Sequence, residues 1–267
     1  MGEHHDNPRQ GFDYWASFKG QGTYYNPVIN KNGERIEHSD SAYVADVLTD
    51  YAMDFFDNRK SDQPFFMYLS HKSVHSDFAP APRHNNSYEK ENVSYPPTMF
   101  PPDDKRGQPE NNNYNCEDVP DWVKKQRYSW HGVDYMYHGQ IEFDQFYRKY
   151  CETLRALDES IAKVIDRLEK EGELENTIIF YMGDNGFSFG EHGLIDKRHA
   201  YEESIRVPLL VMASGELPAS TDFNQVVQNI DIGPTILDMA GLEKSNEMDG
   251  NSFYDLLHQK EIPWRDT

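Results

Sequence analysis

Residues 177–186 read Thr-Ile-Ile-Phe-Tyr-Met-Gly-Asp-Asn-Gly, an apolar run that passes directly into a polar, glycine-flanked turn. The apolar half is short and rich in β-branched and aromatic residues, which is typical of a buried strand. Residues 65–69 and 207–212 have the same character. Because these three runs alternate with helical patterns, we expect an α/β fold with a layered sheet that contains parallel pairs.

Two amphipathic helices stand out by the spacing of their apolar residues. The first begins near Asp40 or Ser41, either of which can cap it, and continues through Phe56. The second runs from about Phe146 to Leu168 and is expected to stop at Gly172. A shorter helix is predicted from Asp231 as the cap to Gly241.

Composition limits the kinds of partner. The chain has 267 residues, a formal net charge of −20, 37% hydrophobic residues and 13% aromatic residues. This is enough apolar sequence for one core, so we interpret residues 1–267 as a single domain. The acidity argues against a nucleic-acid partner, and no run of about 18 apolar residues predicts a membrane span. An anionic ligand must therefore be held by a local cationic cluster or a metal.

Residues 76–130 are rich in proline, asparagine and charge, which excludes long regular elements there. A long irregular segment inside a domain is typical of a functional excursion over the surface. Its aromatic side chains could stack on sugar rings, although a purely structural excursion is an equally good interpretation. The candidates for stacking are Tyr95, Tyr114, Trp122 and Trp130.

Three polar clusters come after predicted strands, two of them after the strand at 177–182, and strand ends are where open α/β sheets place their sites. Asp184 and Asn185 offer two hard oxygen ligands suited to Ca²⁺ or Mg²⁺, although Asp-Asn-Gly is also ordinary turn chemistry. The second cluster contains His192, Lys197 and Arg198. Lys197 and Arg198 can hold an oxyanion, and the alternative is a solvated loop with internal ion pairs.

The third cluster follows residues 65–69 and contains His71, Lys72 and His75. A histidine at a strand end can act as general acid or base near neutral pH, whereas either histidine alone could simply hydrogen-bond the loop. Together, the three clusters favour a site for attack on an anionic ester, where a metal and cations stabilise charge on the non-bridging oxygens.

The chain resembles the sulfatase family, which has the alkaline-phosphatase-like fold. The resemblance lies in residues 176–186, Gly190-Glu191-His192-Gly193, Asp196-Lys197-Arg198, residues 201–209 and residues 229–238, together with Pro64-Phe65-Phe66 leading to His71 and His75. It implies a three-layer sandwich with a mostly parallel central sheet, incomplete at both ends. Residues 24–26, 32–33, 248–250 and 264–265 are most similar to N-acetylglucosamine-6-sulfatases.

The resemblance also implies roles for single residues. Asp184 and Asn185 match calcium ligands, Lys197 matches a lysine that contacts a sulfate oxygen, and His75 matches a histidine near the bridging oxygen. His192 and Arg198 are expected to support substrate binding, and His71 and Lys72 to be loop structure. The expected partner is a sulfated carbohydrate of glycosaminoglycans or mucins, in the periplasm, outside the cell or in the lysosome.

One family feature is missing from the sequence. Sulfatases use a formylglycine made from Cys or Ser in a Cys/Ser-x-Pro/Ala-x-Arg motif, and neither Cys116, Cys151 nor any serine lies in that pattern. Asp103-Asp104 lies in a proline-flanked loop and does not match the family's N-terminal metal pair. We therefore interpret the chain as a fragment that begins after the nucleophile, and expect no turnover by this polypeptide alone. The alternatives are a phosphatase, phosphodiesterase or phosphonate hydrolase of the same fold, and a non-catalytic carbohydrate-binding relative.

Overall fold

The computed structural model describes residues 5–99, 120–126, 129 and 142–266. Its first element is an antiparallel three-stranded sheet of β1 (Ala16–Ser17), β2 (Val28–Lys31) and β3 (Glu34–Glu37). Asn32 and Gly33 join β2 to β3 with φ values of 51° and 100°. Asn-Gly is the favoured pair for such a hairpin because both residues tolerate positive φ. This sheet was not among the elements predicted from the sequence.

Two helices form the main scaffold. They are α1, which spans Val44–Asn58, and α3, which spans Phe143–Glu171. The short helix α2, Asp121–Gln126, lies between them in the sequence. Helix α1 packs on α3, and the hydroxyls of Thr49 and Ser160 are 2.6 Å apart across their contact. As predicted, Gly172 ends α3 in the left-handed conformation, with φ of 71°.

The predicted cap of α1 at Asp40 or Ser41 is wrong. The cap position is Tyr43, with extended backbone and no capping side chain. The reason is a β-bridge between Tyr43 and Tyr25, which keeps the chain extended until Val44.

A second sheet carries the predicted site. Strand β4 is Ile178–Met182 and β5 is Leu209–Ala213, with the 3₁₀ turn Glu191–Gly193 and the one-turn helix α4, Glu202–Ile205, between them. The two strands pair antiparallel, from Ile178 opposite Ala213 to Met182 opposite Leu209. All strand pairs of the described ranges are antiparallel, so the expected parallel pairs do not occur there. The two single turns between β4 and β5 do not form the long crossover helix that usually joins parallel neighbours.

The prediction of a buried strand at residues 65–69 is wrong for the described structure. These residues belong to no hydrogen-bonded ladder there, and Phe66 and Tyr68 are 58% and 67% exposed. Phe65 instead packs edge-on against Phe56, with ring centroids 5.5 Å apart. The segment therefore buries alternate side chains only.

The C-terminal part contains α5 (Ile232–Met239) and α6 (Tyr254–Leu257). Phe253 and α6 pack against side chains of β4 and β5, including Phe180 and Val211. None of the helices in the described ranges is long and apolar enough to cross a membrane.

Of residues 76–130, the structure describes 76–99, 120–126 and 129, where the regular elements are the 3₁₀ turn Pro82–His84 and α2. Tyr114, Cys116, Trp130 and Asp103-Asp104 lie outside the described residues. The side chain of Trp122 is 51% exposed. The Tyr95 ring packs 5.4 Å from that of Phe143, as the structural interpretation of this segment expects.

Candidate functional site

The turn after β4 brings three of the predicted residues together. Asp184 is exposed and Asn185 is half-buried. The Asn185 backbone N–H donates to Asp184 Oδ1 at 2.9 Å, and Lys197 Nζ donates to Asn185 Oδ1 at 3.1 Å. Asp184, Asn185 and Lys197 therefore form one group, which we call the Asp184–Lys197 group.

Gly186 fixes this turn against the loop that follows. Its N–H donates to the Ser204 carbonyl at 2.9 Å, and a Cβ at this position would lie 2.0 Å from the carbonyl oxygen of Glu203. Only glycine permits this approach of the two backbones. The glycine beside the candidate metal ligands thus holds residues 183–186 against residues 203–206.

Lys197 is carried by a loop with its own buried anchors. Leu194 and Ile195 have no exposed surface, and the Ser188 N–H donates to the Asp196 carbonyl at 2.9 Å. Lys197 itself is half-buried. The loop therefore presents the ammonium group from a fixed backbone.

Arg198 and His192 lie on the same loop as Lys197, in different settings. Arg198 is 62% exposed at its side chain and donates to Asp196 Oδ1 at 2.7 Å, so it takes part in an internal ion pair. His192 Nε2 lies 3.5 Å from a Glu203 oxygen, and its ring stacks on Tyr201 with centroids 4.0 Å apart. Both side chains have protein partners, as the charged-loop interpretation expects.

His75 is held mainly through its backbone. Its N–H donates to the Lys72 carbonyl at 2.8 Å, and its carbonyl accepts the Tyr24 hydroxyl at 2.6 Å. The ring Nδ1 lies 2.5 Å from the carbonyl oxygen of Ser76. A carbonyl can only accept, so Nδ1 carries the proton and Nε2 is the nitrogen left for other chemistry.

Tyr24 is one of three tyrosines that secure this segment. The hydroxyls of Tyr25 and Tyr43 donate to the carbonyls of Pro80 and Ala79, at 2.5 and 2.9 Å. The carbonyls of His75, Ala79 and Pro80 lie outside any β-strand, and the three phenols supply the hydrogen bonds that a sheet would otherwise provide. Burial raises the pKa of the Tyr24, Tyr25 and Tyr43 phenols, which keeps them protonated donors.

His71 and Lys72 have structural contacts. His71 Nε2 lies 3.1 Å from Ser160 Oγ on α3, and burial lowers the pKa of the ring to about 4. Lys72 donates to the Gln21 carbonyl at 3.0 Å and lies over the Tyr24 ring. A neutral buried histidine and a lysine on a carbonyl secure the loop, as the sequence predicts for both.

Asn229 was not predicted from the sequence as a site residue. Its Nδ2 donates to the backbone carbonyl of Asp184 at 3.3 Å. The one signal was its position two residues before Asp231, the predicted helix cap. Between described residues, no hydrogen bond connects His75 to the Asp184–Lys197 group.

The donors at this turn have the right chemistry for a hard cation. A carboxylate and an amide oxygen suit Ca²⁺, which takes six to eight oxygens. Asp184 and Asn185 supply two, and the described residues contain no cluster of three or more His, Cys, Asp or Glu side chains that could hold a metal. By their chemistry these two side chains could supply two of the oxygens of such a site, although Asn185 Oδ1 here accepts a hydrogen bond from Lys197.

Comparison with known proteins adds a family match and close relatives. Residues 2–242 match the sequence model of the sulfatase family. The chain is 36% identical over 263 residues to N-acetylglucosamine-6-sulfatase of Bos taurus, covering 96% of this chain and 43% of that protein. It is 31% identical over 296 residues to N-acetylglucosamine-6-O-sulfatase of Bacteroides thetaiotaomicron, covering 94% and 52%.

A solved structure points in the same direction. It is of a protein in complex with its substrate, D-glucosamine-2-N,6-O-disulfate, and it superposes with a TM-score of 0.78 at 30% identity. The superposition covers 97% of this chain and 62% of that one. The chain thus spans less than two thirds of the length of each of these three proteins.

Proposed function

Because the chain belongs to the sulfatase family, with its alkaline-phosphatase-like α/β fold, we propose that it serves the hydrolysis of sulfate esters on sugars, with N-acetylglucosamine 6-sulfate as the substrate. The observation that carries the proposal is the likeness, over nearly the whole chain, to two N-acetylglucosamine-6-sulfatases. The substrate in the similar solved structure is a glucosamine with sulfate on both N2 and O6, which supports the 6-O position of the sulfate ester.

Lys197 is the proposed anchor of the sulfate group. The chain carries a net charge of −20, so an anion binds only where a cation is held against that field. Lys197 is held by Asn185 Oδ1 and keeps two further N–H donors. We propose that a sulfate oxygen accepts hydrogen bonds from these two donors, and that Arg198 and His192 support the binding of the substrate.

His75 is the proposed general acid for the leaving sugar hydroxyl. With Nδ1–H on the Ser76 carbonyl, a second proton on Nε2 can pass to the bridging oxygen as its bond to sulfur breaks. The hydrogen bonds from the Tyr24 hydroxyl to the His75 carbonyl and from the His75 N–H to the Lys72 carbonyl fix the backbone that carries the ring.

Two groups beyond the side chains are part of the proposal. A Ca²⁺ held by Asp184 and Asn185 would neutralise charge on the sulfate oxygens. The expected nucleophile is a formylglycine, for which this sequence contains no matching motif, so we assign no nucleophile to its residues. Since the proposed substrates are extracellular sugars, we place the activity in the periplasm, outside the cell or in the lysosome.

Isothermal titration calorimetry in the presence of Ca²⁺ tests the proposal. We expect the protein to bind N-acetylglucosamine 6-sulfate more tightly than N-acetylglucosamine or its 6-phosphate. Loss of a charge-assisted hydrogen bond costs about 1.5–3 kcal/mol, so Lys197→Ala should weaken binding roughly 10- to 100-fold. Lys163→Ala, at an exposed position of α3, is the matched control.

Equal affinity for the sulfated and unsulfated sugars would refute the substrate assignment. Preference for the 6-phosphate would favour the phosphatase alternative. Calcium-dependent release of sulfate by the purified polypeptide would overturn the assignment of the nucleophile to a formylglycine motif.

A further inference from the structure

Asn229 contacts the Asp184–Lys197 group from a distant part of the sequence. Its exposed side chain reaches the carbonyl of Asp184 at 3.3 Å, although the two residues are 45 positions apart. No other described side chain outside residues 183–206 donates a hydrogen bond to Asp184 or Asn185.

The backbone of Asn229 is fixed from several sides. Gln228 and Asp231 form a reciprocal capping box around it, with the Gln228 N–H donating to Asp231 Oδ2 at 2.8 Å. Asp231 has no exposed surface, pairs with Arg265 through both oxygens, and accepts the Asn251 N–H at 2.8 Å. Gly250 packs so tightly that a Cβ there would lie 2.0 Å from the Ile230 carbonyl oxygen.

These contacts fix the backbone from which the exposed Asn229 side chain projects. The frame leads the chain into α5, and it also suits a recognition residue, because a preorganised group loses less entropy on binding. With Nδ2 engaged by Asp184, the Oδ1 atom is an acceptor suited to a sugar hydroxyl.

From this geometry we infer that Asn229 is a specificity-determining residue, which recognises the sugar ring by accepting a hydrogen bond from one of its hydroxyls. The inference rests on the proposed function, since it concerns the sugar that carries the sulfate. Asn229 therefore recognises the carbohydrate, while Lys197 recognises the anion.

Two titrations of one set of variants separate these roles. Wild type, Asn229→Ala and the control Asn224→Ala, an exposed residue nearby in sequence, are titrated with N-acetylglucosamine 6-sulfate and with inorganic sulfate. We expect Asn229→Ala to weaken sugar-sulfate binding by up to about tenfold, as for the loss of one neutral hydrogen bond, and to change sulfate affinity less than about twofold. Asn224→Ala should change neither.

If Asn229→Ala weakens the binding of both ligands equally, or of neither, the inference is overturned. The proposed function still stands in that case, provided that the wild type binds the sugar sulfate. If wild type binds inorganic sulfate but not the sugar sulfate, the substrate assignment and the role of Asn229 both fail. Circular dichroism and the melting temperature of Asn229→Ala check that the fold is intact, because a variant that melts with wild type must lose affinity through the site.

Discussion

Replacing Asp231 by Asn should destabilise the protein strongly. The carboxylate is fully buried and accepts four hydrogen bonds: two from backbone N–H groups, of Gln228 and Asn251, and two from the Arg265 guanidinium. Each oxygen accepts one backbone and one guanidinium donor. In Asp231→Asn an NH₂ group replaces one of these oxygens. That NH₂ group can only donate, and it would face one backbone N–H and one guanidinium N–H, which also donate.

The magnitude follows from what is left behind. Breaking a buried ion pair by changing one partner costs about 3–5 kcal/mol, and here the fully buried side chain at position 231 would keep its four donors but not its charge. Burial raises the pKa of the Asp231 carboxyl, but Arg265 and the two backbone donors outweigh it and hold the pKa below its usual value, so the group is charged at neutral pH. We expect Asp231→Asn to lose about 3–5 kcal/mol of unfolding free energy at pH 7.

A double-mutant cycle measured by urea denaturation tests this expectation. Arg265→Met removes the guanidinium, and the double variant Asp231→Asn/Arg265→Met should cost less than the sum of the single variants by about 0.5–3 kcal/mol. Additive effects, or a loss below about 1 kcal/mol for Asp231→Asn, would refute the strong coupling of the pair. If Asp231→Asn does not fold, Arg265→Lys gives a milder break in the same pair, with an expected loss of about 1–2 kcal/mol.

Three further predictions concern stability. Because the pKa of His71 is lowered to about 4 in the fold, the unfolded chain takes up its proton first as pH falls. Stability should thus drop by about 3 kcal/mol between about pH 6.5 and 4, and denaturation of His71→Gln should show a correspondingly flatter pH dependence there. Tyr24→Phe leaves the His75 carbonyl without its donor and should lower the unfolding free energy by about 1 kcal/mol, whereas Tyr68→Phe, at an exposed position, should change it by less than about 0.5 kcal/mol. Gly186→Ala should lower it by more than about 3 kcal/mol and abolish sugar-sulfate binding, since its Cβ would overlap the Glu203 carbonyl; a melting temperature equal to that of wild type would contradict the close approach of the two segments.

Helical periodicity and residue chemistry could be predicted from the sequence. The spacing of apolar residues predicted α1 and α3, and Gly172 predicted the end of α3 correctly. The run at 177–186 predicted both β4 and the polar turn after it. These features depend on neighbours in sequence, which is why one sequence was enough.

Pairing and exposure could not be predicted in the same way. The direction of β5 relative to β4 depends on how residues 183–208 return, and apolar content alone does not reveal that path. Residues 65–69 are apolar without being fully buried, since burial depends on what lies on both faces. Asn229 was missed because its contact with Asp184 is made between residues distant in sequence.

The pairing of Met182 with Leu209 has a further consequence. Residues 183–208, which include Asp184, His192 and Lys197, form one loop. The β4–β5 ladder holds the two ends of this loop side by side. Lengthening such a loop costs little, about 0.6 kcal/mol for each doubling. Insertions are therefore tolerated best at exposed positions of this loop, such as Ala200, whereas the buried Leu194 and Ile195 tie the rest of it to the core.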